Sequence, residues 1–117
     1  MKLFATTLFA SLIFAGTAAA QDAKPLTQDE AVSFIKGKDR DGVNPRWTAR
    51  FNFKDDGTVS GAGSAGSDSG TYTVEGGKLC LKWTRRWKDA CGQLVKGPDG
   101  TVSQVIDDGS AWIAFKN

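Results

Sequence analysis

Two spacings of apolar residues divide this chain. In "LTQDEAVSFIKG", Leu26 to Gly37, the residues Ala31, Val32 and Ile35 recur at helical spacing with Phe34 at the edge of the stripe, and Gly37 ends the run. Thr27 and Glu30 stand at capping-box spacing, so each side chain can take an amide hydrogen that the first turn leaves unpaired. Leu26 and Ala31 are placed for a hydrophobic staple. One short amphipathic helix is predicted. From Trp47 the period falls to two: Trp47, Ala49, Phe51 and Phe53 alternate with Thr48, Arg50, Asn52 and Lys54. The same alternation recurs with Tyr72 and Val74, with Leu79, Leu81 and Trp83, and with Ala111, Ile113 and Phe115. These are half-buried strands.

Asp56-Gly57, Gly76-Gly77, Asp99-Gly100 and Asp108-Gly109 separate the runs, and each supplies a residue able to take positive φ. Strands are predicted near 47–53, 58–60, 70–75, 78–84, 88–95, 101–106 and 111–116. The expected fold is mainly β: an antiparallel meander of about seven strands forming a bent sheet or incomplete barrel, with one N-terminal α-helix. Residues 21–46 supply a lead, the helix and the connector "GKDRDGVNP", and 47–117 the meander, together one domain. The expected core is Val32, Ile35, Trp47, Phe51, Phe53, Tyr72, Val74, Leu79, Leu81, Trp83, Leu94, Val102, Ile106, Ile113 and Phe115. Trp112 points opposite to Ile113, either exposed or covering the barrel mouth. "GAGSAGSDSG", Gly61 to Gly70, reads as a flexible surface loop or a bulged strand edge. The repeated "DGTVS", at Asp56 to Ser60 and Asp99 to Ser103, is hairpin chemistry used twice.

The first twenty residues change the setting. Lys2, an apolar stretch from Leu3 to Phe14 and small residues at Ala18, Ala19 and Ala20 have the layout of a cleaved secretory signal peptide. The expected mature chain starts at Gln21, is periplasmic or secreted, has no transmembrane segment and is a monomer. Lys and Arg total 15 against 13 Asp and Glu, and Lys2 leaves with the signal. The near-neutral remainder gives no support to nucleic-acid binding.

Cys80 and Cys91 are the only cysteines, and in an exported chain they read as one disulfide. Pairing them across a hairpin puts the midpoint between Arg85 and Arg86. With a four-residue loop, Thr84 to Trp87, they become a non-hydrogen-bonded pair, whose closer approach suits a bridge on the outer face. Arg85, Arg86, Trp87 and Lys88 then form the tip, the candidate binding residues. One reading exposes Trp87 between cations as an anchor for a partner; the other folds it back on the sheet under a stacked arginine.

Candidate chemistry is sparse. There is no histidine, both cysteines are committed to the bridge, and no Gly-x-Ser-x-Gly elbow presents a serine. "DRDGVN" faintly suggests a calcium loop, but the later ligands of that pattern do not follow. No catalytic residue, metal ligand or cofactor is assigned.

Gly70, Tyr72, Val74, Lys78, Leu79, Cys80 and Trp83 make up a Gly-x-Tyr-x-Val strand, a tight turn and a Lys-Leu-Cys-x-x-Trp strand. From about Trp47 to the C-terminus the chain thereby resembles a family of small exported bacterial proteins built on a domain of unknown function. The resemblance implies a secreted or periplasmic β-domain and carries no substrate. In size, export and single disulfide the chain is also similar to periplasmic β-barrel inhibitors of proteases or lysozyme, although their inhibitory motifs have no counterpart here. The expected function is non-enzymatic binding or regulation through a protein partner, including inhibition of a secreted hydrolase. The alternative is a lipocalin-like carrier of a small apolar ligand. A cavity of about 300 Å³ or more separates the two, since short strands bearing such large aromatics are expected to fill their own interior.

Overall fold

The computed structural model describes residues 23–116; the expected signal segment, 1–20, lies outside them. Helix α1 (Gln28–Ile35) starts where the capping box places it. The Glu30 amide donates to Thr27 Oγ1 at 3.2 Å, and the Thr27 amide donates to the Glu30 carboxylate at 2.9 Å. The amide hydrogen of Thr27 on the Glu30 carboxylate, with the Thr27 hydroxyl beside it, holds that carboxyl below its usual range. Ala31 and Ile35 are fully buried, and Leu26 joins the same core.

Nine strands follow the chain: β1 (Lys24–Pro25), β2 (Asp39–Asn44), β3 (Trp47–Phe53), β4 (Thr58–Gly63), β5 (Gly66–Glu75), β6 (Lys78–Trp83), β7 (Ala90–Lys96), β8 (Val102–Val105) and β9 (Ala111–Lys116). From β2 to β9 each strand pairs antiparallel with the next, and β9 pairs with β2 through Gly42 and Phe115. The sheet is therefore a closed eight-stranded barrel. β1 stays outside the ring, lying along β7 beyond the point where β6 stops pairing.

Closure corrects the expectation of seven strands in an incomplete barrel, and the strand that achieves it is "DRDGVN", assigned above to a connector. Its inward positions are Arg40, Gly42 and Asn44, none of them an apolar side chain. Gly42 is buried because its neighbours fill the space: a Cβ there would lie 2.7 Å from the Phe51 ring and 2.8 Å from Ile113 Cγ2. A glycine making room for a ring leaves no mark on an apolar alternation. On the outer face Asp41 accepts from Arg50 at 2.9 Å, and Asp39 accepts from the Asn52 amide. The two carboxylates of the faint calcium motif thus serve a cross-strand cluster on β2 and β3.

Gly61 to Gly70 is not a loop either. It runs out along β4 and back along β5, paired from Val59–Gly70 to Gly63–Gly66 around Ser64 and Ala65. The Asp-Gly turns form as expected. Asp56, Asp99 and Asp108 each accept the amide two residues on, at 2.9, 3.0 and 2.8 Å, while Gly57, Gly100 and Gly109 take φ of 92°, 86° and 86°. This shared geometry accounts for the repeated "DGTVS".

The two ends of the barrel differ. Turns 54–57, 76–77 and 97–101 share one end with α1, whose Gln28 donates to the Val74 carbonyl at 2.8 Å and accepts from the Gly77 amide at 3.0 Å. Above it the interior is packed with rings. Phe34 lies 6.0 Å from Phe115, Phe115 lies 6.0 Å from Phe51, and Phe53 lies 5.2 Å from Tyr72. An eight-stranded barrel is just wide enough to be filled in this way, or to hold one small ligand. The opposite end carries turns 45–46 and 64–65, the segment 84–89 and the turn 106–110.

Cys80 and Cys91 face each other on β6 and β7 as a disulfide with Cα atoms 4.0 Å apart, the spacing of a non-hydrogen-bonded pair. The connection is six residues long, Thr84 to Asp89, rather than four. The ladder stops at Leu81–Ala90 because the Trp83 amide donates instead to the Asp89 carboxylate at 2.8 Å. Replacing both cysteines by serine is expected to lower stability by about 3 kcal/mol, since the bridge closes a short loop of the unfolded chain. Urea unfolding of the two proteins side by side measures it.

Candidate functional site

The segment after β6 is drawn inward by one carboxylate. Asp68 continues the inward face of β5 below Gly70 and Tyr72 and is 3% exposed. It accepts the amides of Ser69 at 2.8 Å, Arg86 at 2.9 Å, Trp87 at 3.0 Å and Arg85 at 3.2 Å, with the Thr84 hydroxyl at 3.3 Å. Burial alone would raise its pKa. The donors from Trp87, Arg86, Ser69 and Arg85 more than reverse that and hold the carboxyl far below the usual range. Asp68 is thus an ionised latch that curls residues 84–87 over the barrel mouth.

Trp87 follows the curl into the mouth. Its ring meets Trp83 edge-on with centroids 4.8 Å apart and lies nearly parallel to Trp47 at 6.3 Å, the planes differing by 10°. Glycines of the Gly/Ser-rich stretch make the space. A Cβ on Gly61 would stand 2.6 Å from the Trp87 ring, and one on Gly66 would stand 2.9 Å from an Arg86 nitrogen. The aromatic-basic tip and the glycine-rich segment, separate features along the chain, are one unit in space.

The result is a cup. Trp47, Trp83, Trp87 and Trp112, all four tryptophans of the chain, line a cavity of about 290 Å³ floored by Phe51 and Ile113. Arg46, Arg86 and Lys88 also line it, and Lys88 Nζ lies 6.0 Å from the Trp112 ring centroid. Each of the three cations is exposed, and among the described residues none has a carboxylate within 4.0 Å. Among the described residues, no aspartate or glutamate lines the cup.

Of the four candidate binding residues, Arg86, Trp87 and Lys88 converge on the cup. Arg85 does not: it turns toward Asp68, 3.8 Å away, with its side chain 70% exposed. Trp87 is half-buried, as the fold-back reading has it, but its ring packs on other rings rather than under an arginine. Arg46, Trp47, Trp112 and Asp68 were not assigned to a site from the sequence. Asp68 shares parity with Gly70, Tyr72 and Val74, so carrying the β5 alternation two residues upstream would have turned it inward. Among the described residues, no group of three or more acidic, cysteine or histidine side chains is placed to hold a metal.

Comparison of the chain with protein-family models, with curated proteins and with solved structures finds no match.

Proposed function

We propose that this chain is an exported, non-enzymatic binding protein whose barrel mouth takes up a small aromatic or apolar molecule. The observation that carries the reading is the convergence of all four tryptophans on one cup of about 290 Å³. Its size sits at the lower edge of the range for small-molecule sites, which are concave and mainly apolar with a few placed polar groups. The packed rings below Phe51 confine the ligand to the mouth, so it is held shallowly rather than swallowed. The absence of histidine from the sequence and the pairing of both cysteines support a binding role over catalysis. The disulfide supports an oxidising compartment, periplasmic or extracellular.

Because the tryptophans surround the cup, they report its occupancy. N-Phenyl-1-naphthylamine, a neutral probe whose naphthalene ring seats in the cup with its phenyl group toward solvent, is expected to bind one to one, quenching tryptophan emission as its own rises. Trp112→Ala, at the lip, should weaken that binding by about tenfold with little change in melting temperature. A probe that binds native protein and variant alike, or neither, overturns the reading.

A second reading, contact with a protein partner through Arg85, Arg86, Trp87 and Lys88, is favoured by the exposed Arg85 side chain, which the cup does not use. The two separate at that residue. Arg85→Ala should abolish partner capture by crosslinking in the native envelope while leaving uptake of the naphthylamine unchanged. Capture that survives the substitution counts against a contact at this tip.

A further inference from the structure

We infer that the ligand of this cup is a planar aromatic anion: one or two fused rings bearing a carboxylate, sulfonate or similar group. The inference rests on the reading of the mouth as a small-molecule site and adds the charge and shape of what it takes.

Shape follows from the walls. Trp47 and Trp87 lie within 10° of parallel, and Trp83 stands at 73° to Trp87 across a centroid distance of 4.8 Å. Such walls are flat and polarisable, and a flat ring packs on them with the offset or edge-on geometry that aromatic pairs favour. The volume, about 290 Å³, is enough for a body of one or two fused rings. A flexible acyl chain gains less, because the floor formed by Phe51, which lies 6.2 Å from Trp83 and 6.3 Å from Trp87, blocks a deeper path into the barrel.

Charge follows from the lip. Arg46 comes from the β2–β3 turn, and Arg86 and Lys88 from the β6–β7 connection, so three cations reach one apolar cavity from two separate loops. Arg50 and Arg85 have carboxylates near them, whereas among the described residues these three have none within 4.0 Å. Asp89, Asp107 and Asp108 line an adjoining groove that shares Lys88 and Trp112 with the cup, and do not line the cup itself. A ligand whose ring rests on the indoles therefore presents its substituent to unpaired positive charge, and a charge-assisted hydrogen bond to guanidinium or ammonium is the contact available there.

Two isosteres that differ in charge test this: naphthalene-2-sulfonate and naphthalene-2-sulfonamide, titrated calorimetrically into the full chain. The sulfonate is expected to bind at least about tenfold more tightly, as for one good charge-assisted contact. The preference should shrink as sodium chloride rises from roughly 50 to 500 mM. In the R46Q/R86Q/K88Q variant the two should bind with equal affinity, close to that of the sulfonamide for native protein. All three positions are exposed, so the variant is expected to fold, and its melting curve checks this directly. Equal affinities in the native protein overturn the inference while leaving the cup an aromatic site. A preference that survives the triple substitution overturns it too, because the charge would then be read elsewhere. Binding of neither probe overturns both the inference and the reading beneath it.

Discussion

Asp68→Ala is expected to lower the melting temperature by roughly 10 °C or more at neutral pH and to release residues 84–88 from the barrel mouth. The alanine leaves the amides of Arg85, Arg86 and Trp87 without their acceptor at once. Asp68→Asn keeps the size and one acceptor oxygen but not the charge, and should fall between. Its comparison with the native protein also carries the sign of the pH dependence. A carboxyl depressed in the folded state contributes fully above the unfolded value, about 3.9, and its contribution is lost as pH falls toward the folded value. The gap between native and D68N melting temperatures should therefore be widest at about pH 7 and should narrow toward about pH 3. Glu30, Asp56, Asp99 and Asp108, whose carboxyls are also held low by hydrogen bonds, titrate in both proteins and cancel. A gap that does not change with pH would mean that the charge of Asp68 is not what holds the curl.

The same side chain shows where reading the chain stops short. Alternation marked β3, β5, β6 and β9, the turn signals and the paired cysteines placed β4, β7 and β8, and the helix was legible because its stripe and its capping box agree. It missed β2, whose inward residues are Arg40, Gly42 and Asn44. It truncated β4 and β5 where the inward face is Gly61, Asp68 and Gly70. In both places the barrel needs empty space or a carboxylate rather than an apolar group, and the reason stands on another segment: the Phe51 ring for Gly42, the Trp87 ring for Gly61, the amides of residues 85–87 for Asp68. Gln104 follows the same rule. It is fully buried between Val102 and Ile106, both read as core, and spends its amide on the Leu79 carbonyl at 2.8 Å. The cup was illegible for a related cause. Trp47, Trp83, Trp87 and Trp112 lie on four different segments, and only closure of the sheet through β2 and β9 gathers them.

Two glycines on facing strands show how the barrel and its cup can be separated by experiment. A Cβ on Gly70 would lie 1.9 Å from the Lys82 carbonyl oxygen and 3.0 Å from Trp83 Cα, both backbone atoms of the neighbouring strand, so β5 and β6 must part. Gly70→Ala should cost at least about 3 kcal/mol, a large share of what a domain of this size has, and the chain should be mostly insoluble or unfolded. A Cβ on Gly61 would meet the Trp87 ring at 2.6 Å and the Phe51 ring at 3.3 Å, and an indole carried on a connection can tilt where a paired strand cannot. Gly61→Ala should therefore fold, melt only a few degrees lower by the scale of overpacking in small domains, and bind the naphthylamine about tenfold more weakly because Trp87 no longer seats. Melting curves and probe titrations of the two variants make the comparison. If both substitutions unfold the chain, or both leave binding intact, the glycines of β4 and β5 are not dividing their work between backbone approach and the seat of the ring.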